Sequence, residues 1–152
     1  MTSPLVSADF DVPAGLEHGR FRLRMLTVND VVKDYDAVMS SVDHLQGVFG
    51  ERSNWPSPDL TLEQDLIDLG WHQKEFQRRT AFAYTVMSLD ETRCLGCVYF
   101  YPGAADAQVD AYTWVRAGEV ETGLDAELFA AVRSWLDDSW PFDRVRFPGR
   151  LG

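Results

Sequence analysis

The chain has 152 residues, 45% of them apolar and 25% charged, with a formal net charge of −10 from 24 acidic against 14 basic side chains. That length suits one domain over residues 1–152, burying about 70% of the surface its unfolded chain would expose. The acidic surplus excludes nucleic acid and anionic membranes as partners over most of the surface, and suits a basic small molecule or plain solubility. No apolar run is long enough to span a bilayer, and MTSPLVSADFDVPAGLEHG lacks the basic and apolar regions of a signal peptide. A cytoplasmic location is therefore expected.

Residues 1–19 read as an extended lead-in, draped over the surface or partly mobile. In RFRLRMLTV (20–28) arginines alternate with Phe21, Leu23 and Met25, the period of a strand with one face in the core. Asn29 is placed to cap a helix, with Asp30 in its first turn. Val31, Tyr35, Val38, Val42 and Leu45 form its apolar stripe, widened by Val32 and Met39, up to Gly47. GVFGERSNWPSPD is a loop, in which Trp55-Pro56 is either a cleft wall or a hydrophobic plug. Thr61 and Gln64 make a capping-box pattern for a second helix running to about Arg79, with Leu62, Leu66, Leu69 and Phe76 on its buried face. His72, Glu75 and Arg79 share one side of it, as a catalytic dyad or as a solvated polar face.

TAFAYTVMSL (80–89) and RCLGCVYFY (93–101) are strands joined by the hairpin-length Asp90-Glu91-Thr92. Gly96 marks a bulge or a close backbone approach. Cys94 and Cys97 sit in the second of these strands, where positions three apart point to opposite faces, so two buried structural thiols are expected. The three histidines, His18, His44 and His72, are scattered, and no metal site is expected. Residues 107–140 read as a fourth strand, a loop with Gly118 and Gly123, and an amphipathic helix stopped at Trp140-Pro141. DRVRFP (143–148) is a short fifth strand. A helix crossing over between the last two strands makes them parallel, while the middle strands form an antiparallel meander. The expected class is α+β, a mixed sheet with helices on both faces.

This element order resembles the GNAT acyltransferase superfamily, over roughly residues 20–148. The fourth strand's ending, Asp110 followed by Trp114-Val115, is similar to the family's acidic residue and aromatic-valine pair. The resemblance implies a GNAT-like fold in which strands four and five splay and acetyl-CoA lies in the gap as co-substrate. Its pantetheine arm would bond the fourth strand's backbone, and its pyrophosphate would sit on the following loop and helix start. The implied cofactor cradle is Trp114, Val115, Ala117, Gly118, Val120, Gly123 and Leu124. Aligned on the family's loop, Ala117 stands at its proline, Val120 at its Gln/Arg and Glu121 at its first glycine. Only Gly123 is retained among the signature glycines, so by its loop the chain resembles a degenerate member.

The departures bear on activity. A carboxylate about 5 Å from a phosphate charge opposes binding by roughly 1 kcal/mol in water and about 3 half-buried, which sets Glu119, Glu121 and Asp125 against the pyrophosphate. Asp125 is alternatively the N-cap of the helix. Family members continue past strand five into a region holding a tyrosine general acid; the sequence ends at Gly152, so that acid is not carried over. Tyr84 or Tyr112 could stand in, or form core and cleft wall. Arg144, Arg146 and Pro148 look like edge protection on strand five, with a homodimer completing the sheet as the other reading. Asp110 is the base candidate and Tyr112 a second catalytic candidate. The implied function is acetyl-CoA-dependent N-acetylation of a small-molecule or peptide amine, a cationic one by the protein's charge. The alternative is a catalytically inactive GNAT-like domain that binds or dimerises.

Overall fold

A computed structural model describes residues 3–150. Its first strand, β1 (Gly15–His18), lies inside the lead-in and pairs antiparallel with β2 (Phe21–Met25). The sequence reading has no strand there, because GLEH offers a single large apolar side chain and no alternation to detect. The lead-in is also pinned upstream of β1. Val6 is buried, Leu5 N–H donates to the Arg79 carbonyl (2.8 Å), and the Tyr84 hydroxyl donates to the Pro13 carbonyl (2.6 Å).

The first helix departs from its expected bounds at both ends. Thr27, not Asn29, is the capping residue: it forms a capping box with Asp30 around a 3-10 turn, Val28–Asp30, and α1 (Val31–Met39) follows. The helix then breaks before α2 (Val42–Leu45). At the break, Ser40 Oγ donates to the Ala37 carbonyl and Ser41 Oγ accepts the distant Ala117 N–H, so both serines serve backbone groups through their side chains. Val32, expected on the buried stripe, is 68% exposed; Asp34 is on the buried side instead, only 4% exposed. The Thr61–Gln64 capping box opens α3 (Leu62–Arg78) as expected. Its inner face is rotated from the expected one: Leu62 and Leu66 are exposed, while Asp65 and Leu69 are buried.

Four more strands and a helix follow: β3 (Phe82–Ser88), β4 (Cys94–Pro102), β5 (Val109–Val115), α4 (Leu124–Ser139) and β6 (Val145–Arg146). The sheet order is β1-β2-β3-β4-β5-β6, antiparallel throughout except for the parallel β5–β6 pair. On one face Leu124, Leu128, Val132 and Leu136 of α4 pack against Phe82, Val86, Val98 and Val109. On the other, Ala37, Val38, Leu45 and Leu69 pack against Ala83, Met87, Tyr99 and Trp114. Helices on both faces of a mixed sheet are what the α+β reading requires.

Gly96 fulfils both of its expected roles. The β3–β4 register shifts between Val86↔Gly96 and Met87↔Cys94, leaving Leu95 as the extra residue of a bulge. A Cβ on Gly96 would stand 2.0 Å from the Trp114 carbonyl oxygen. The bulge corrects the placement of the thiols. Cys94 and Cys97, expected on opposite faces, join the same core because one added residue restores their phase. Both are buried and unbridged, and burial pushes the Cys94 thiol up to about 12 and Cys97 well up.

Candidate active site

β5 and β6 pair at only two positions, Val109↔Val145 and Asp110↔Arg146, and then part. Arg146 fixes the parting point by donating Nε and Nη2 to the two Asp110 carboxylate oxygens (2.9 and 2.8 Å). Beyond it opens a cleft of about 300 Å³ between Ala111–Val115 of β5, residues 44–48, Asp125, and Pro148–Arg150. The Thr113 and Val115 carbonyls face this cleft, for they accept from side chains on its far side. Arg150 Nη2 donates to Thr113 (3.0 Å), and His44 Nε2 stands 3.1 Å from the Val115 oxygen. A strand residue's N–H and C=O point the same way, so the Thr113 and Val115 N–H groups face the cleft too.

The loop at the mouth of the cleft is a 3-10 stretch, Ala117–Thr122, ending at Gly123 with φ +80°, a conformation suited to glycine. Helix α4 then starts without a side-chain cap, so its first N–H groups are free of one. Asp125 is not the N-cap foreseen as its alternative role. It lies within the first turn, where Arg150 binds both its oxygens (2.7 and 2.8 Å). Glu119 has a looser partner in Arg93 (3.9 Å), and Glu121 has no ion pair among the described residues. Of the expected cradle residues, Trp114 and Val115 line the cleft, and the other five lie in the loop and helix start that follow. Val115 presents backbone to the cleft, whereas Trp114 turns its carbonyl toward Gly96 of β4 and its indole away to donate to the Tyr99 hydroxyl (3.0 Å). Ala117 spends its N–H on Ser41, Leu124 is buried, Val120 is exposed, and Gly118 has open space around it.

A second, larger cavity of about 470 Å³ lies beneath α3, against the middle of the sheet. Aromatic side chains make much of its wall. Phe49 sits edge-on to Trp55, Tyr99 and Tyr112 with ring centroids 5.3, 5.1 and 5.1 Å away. Tyr99 and Tyr101 are stacked, and His72 leans over both. Trp55 is therefore a cavity wall, one of its two sequence readings. Of the side chains aligned along α3, His72 lines the cavity and its Nδ1 faces Glu75 Oε1 at 3.7 Å, whereas Arg79 is drawn off to the Ser7 and Phe10 carbonyls.

Three carboxyls complete the wall: Asp34, Asp65 and Asp68. Burial, and then the neighbouring Asp65 carboxylate, holds the Asp34 carboxyl well above the ordinary range. Burial raises Asp65 and Asp68 as well. The phenols of Tyr99, Tyr101 and Tyr112 are also raised by burial, so all three remain proton donors at neutral pH. Tyr112 lines both this cavity and the cleft at β5–β6, and so stands where the two meet. Asp110 lines neither; Tyr84 lies in the core, away from both. Among the described residues no group of three or more His, Cys, Asp or Glu is arranged to hold a metal ion.

No family model matches the sequence, and no curated protein matches it. Solved structures do match the fold. The ribosomal-protein-S5-alanine acetyltransferase of Vibrio fischeri superposes with a TM-score of 0.69 at 16% identity, over 88% of this chain and 72% of its own. The microcin C7 self-immunity acetyltransferase, in complex with acetyl-CoA and AMP, gives 0.66 at 15% identity, over 88% and 72%. A GNAT-family acetyltransferase of Bacillus anthracis gives 0.64 at 13% identity, over 86% and 70%. The chain has the GNAT acyltransferase fold. In the GNAT frame β5 and β6 are the splaying pair, expected as strands four and five and renumbered by the additional β1. The cavity under α3 lies across Tyr112 from the cleft between them.

The sequence reading missed Asp34, Asp65, Asp68, Phe49, Tyr99 and Tyr101 as wall residues, and Arg150 and His44 as cleft residues. A signal existed for two of them. Asp34 and Asp65 sit at helical spacing between apolar residues, on the stripes Val31-Asp34-Val38 and Leu62-Asp65-Leu69. An acid interrupting an apolar stripe is the kind of buried polar group that calls for a functional account.

Proposed function

We propose that this protein is an acetyl-CoA-dependent N-acetyltransferase, taking acetyl-CoA in the β5–β6 cleft and an amine in the cavity beneath α3. The observation that carries this reading is Tyr112, a wall common to both spaces, which lets a thioester and an amine approach the same point. The cleft fits the co-substrate in its backbone: an open strand edge offers amide groups at Thr113 and Val115, and α4 begins uncapped. Charge fits less well, yet Asp125 is neutralised by Arg150, which leaves Glu121 as the carboxylate without an ion pair there.

When bound, acetyl-CoA supplies the acetyl group as a thioester. His72 receives the proton that the amine must lose to become a nucleophile. Its Nδ1 faces Glu75, which leaves Nε2 to accept, and Glu75 steadies the imidazolium. Backbone N–H groups on the open edge of β5 stabilise the oxyanion, independent of side-chain identity. The Tyr112 phenol, kept protonated by burial, delivers a proton toward the departing sulfur. Asp110 serves here as a positioning residue, clamping β6 through Arg146 so that the strands part at Tyr112.

Calorimetric titration with acetyl-CoA tests the reading. Saturable binding is expected; neither heat nor a thermal shift at millimolar ligand would sink it. His72→Ala is expected to lower kcat by about a hundredfold or more with binding retained. Loss of turnover in Asp110→Asn, with acetyl-CoA bound as tightly as before, would move the base role to Asp110.

One observation favours a second reading, a GNAT fold that binds without catalysing. Arg150 lies across the cleft, spanning Thr113 and Asp125. Removing the bar and the charge it neutralises, in the double variant Arg150→Ala/Asp125→Asn, separates the two. Tighter acetyl-CoA binding shows that Arg150 merely competes, whereas an unresponsive double variant supports the non-catalytic reading.

A further inference from the structure

The cavity beneath α3 has a composition that its fold does not require. Three carboxyls line it, and no lysine or arginine is among the described residues that do. Asp65 is only 2% exposed, and its Oδ2 has no hydrogen-bond partner among the described residues. An isolated buried acceptor of this kind costs more than a paired one gains, and the neighbouring carboxyls add repulsion whenever more than one of them is ionised. Helix α3 also keeps Asp65 inward while leaving Ile67 and Trp71 more than 60% exposed (63% and 64%), a placement opposite to what burial alone selects. His72 is the wall's own side chain able to carry positive charge among the described residues, and it is engaged with Glu75, so a cation from outside would balance the arrangement.

The walls say what kind of charge. Asp65 and Asp68 offer acceptors for an ammonium, and the rings of Trp55, Tyr101 and Tyr112 border the same space with quadrupoles suited to a cation. A metal ion is a poor match, because among the described residues no three His, Cys, Asp or Glu are arranged to hold one. A single amine is a poor match as well. The nitrogen to be acetylated must lose its proton beside Tyr112 and His72, and so cannot also neutralise Asp65 and Asp68.

Resting on the acetyltransferase reading, we propose that the acceptor is an aliphatic amine carrying a second, ammonium group, which Asp65 and Asp68 hold beside the aromatic wall while the reacting nitrogen faces Tyr112. The second charge then acts as an anchor, and its binding energy positions the reacting nitrogen.

Calorimetry on the full chain, with 1,4-diaminobutane and butylamine as probes, tests this without acetyl-CoA present. The diamine is expected to bind at least about tenfold more tightly than the monoamine. Asp65→Asn and Asp68→Asn are each expected to lose roughly tenfold for the diamine and to leave acetyl-CoA binding unchanged. Quenching of tryptophan fluorescence, lost in Trp55→Phe, would place the diamine in this cavity. Equal affinity for the two probes, or an Asp65→Asn variant that binds the diamine as tightly as before, would overturn the proposal. If Asp65→Asn fails to fold, Asp68→Asn, on an exposed position of α3, decides alone. Acetyl-CoA binding without diamine binding removes this inference and spares the acetyltransferase reading. Diamine binding without acetyl-CoA binding does the reverse, leaving a cation-binding protein.

Discussion

Asp34 shows how far a single side chain can be set against stability. It is 4% exposed, faces Asp65, and has its folded-state pKa raised by burial first and by that neighbour second. A raised acid binds more protons folded than unfolded between its two pKa values, so its contribution is greatest below the ordinary carboxylate range and is lost as pH rises. Asparagine keeps the shape, removes the titration, and offers an N–H to the unpaired Asp65 oxygen. Asp34→Asn should therefore melt higher than the wild type at pH 8, by about 1 kcal/mol or roughly 3 °C, with the gap closing toward pH 4. Thermal melts across that range check it, and a gap that widens on acidification would contradict the assignment. Glu91, held down mainly by Arg24, and Asp90, lowered to about 2 by the Ser88 and Thr92 hydroxyls, slope the opposite way in both proteins and cancel in the difference. The sequence displays Asp34 on an apolar stripe, but hydrophobic periodicity treats an acid there as noise. Its partner Asp65 lies on another helix, and the pairing exists only after α1 and α3 pack.

Among the elements, those whose side-chain pattern carried the information were legible. β2, β3, β4 and β5, the Thr61–Gln64 cap, and the parallel crossover into β6 stand where alternation and turn chemistry put them. Pattern fails where side chains serve a cavity instead of a core. The inner face of α3 is Asp65-Leu69-His72-Phe76, one position round from the apolar set Leu62-Leu66-Leu69-Phe76, and the first rule of burial selects the latter. β1 was illegible for another reason: its order comes from ten or so residues of upstream chain tied to Arg79 and Tyr84, contacts remote in sequence. At β4 the bulge is what sets both thiols and Tyr99 on the cavity side, and it depends on the close passage of β5 behind Gly96. Gly96→Ala would drive a Cβ to 2.0 Å from the Trp114 carbonyl oxygen, a backbone atom that cannot rotate aside. The expected loss is about 2 kcal/mol or more, seen as a lower denaturant midpoint. Because the strand must shift, Tyr99 and Tyr112 move with it, and any bound cation should be held more weakly. A variant as stable as the parent would mean that β4 and β5 separate easily here, and the placement of Tyr112 between the two cavities would lose its rigidity.

On the scale of the whole molecule, the two proposed substrates carry opposite charges into one acidic protein. The net charge of −10 repels the phosphates of acetyl-CoA and attracts a dication, and both long-range effects are screened over about 10 Å at 0.1 M salt. Raising the salt from about 0.02 M to about 0.2 M should therefore strengthen acetyl-CoA binding and weaken diamine binding in the same preparation. A local mutation sharpens the test. Glu121 is the mouth carboxylate without an ion pair, so Glu121→Gly should tighten acetyl-CoA by about fivefold at low salt, equivalent to roughly 1 kcal/mol, and by less at high salt. Diamine affinity should hardly respond, since Glu121 lies at the cleft mouth and not among the residues lining the cavity under α3. Parallel salt titrations of the two ligands on wild type and variant give four slopes. If the acetyl-CoA slope has the same sign as the diamine slope, then the protein's overall charge does not govern access to the cleft. Arg150, the arginine that lines the cleft among the described residues, would then be setting the local field there.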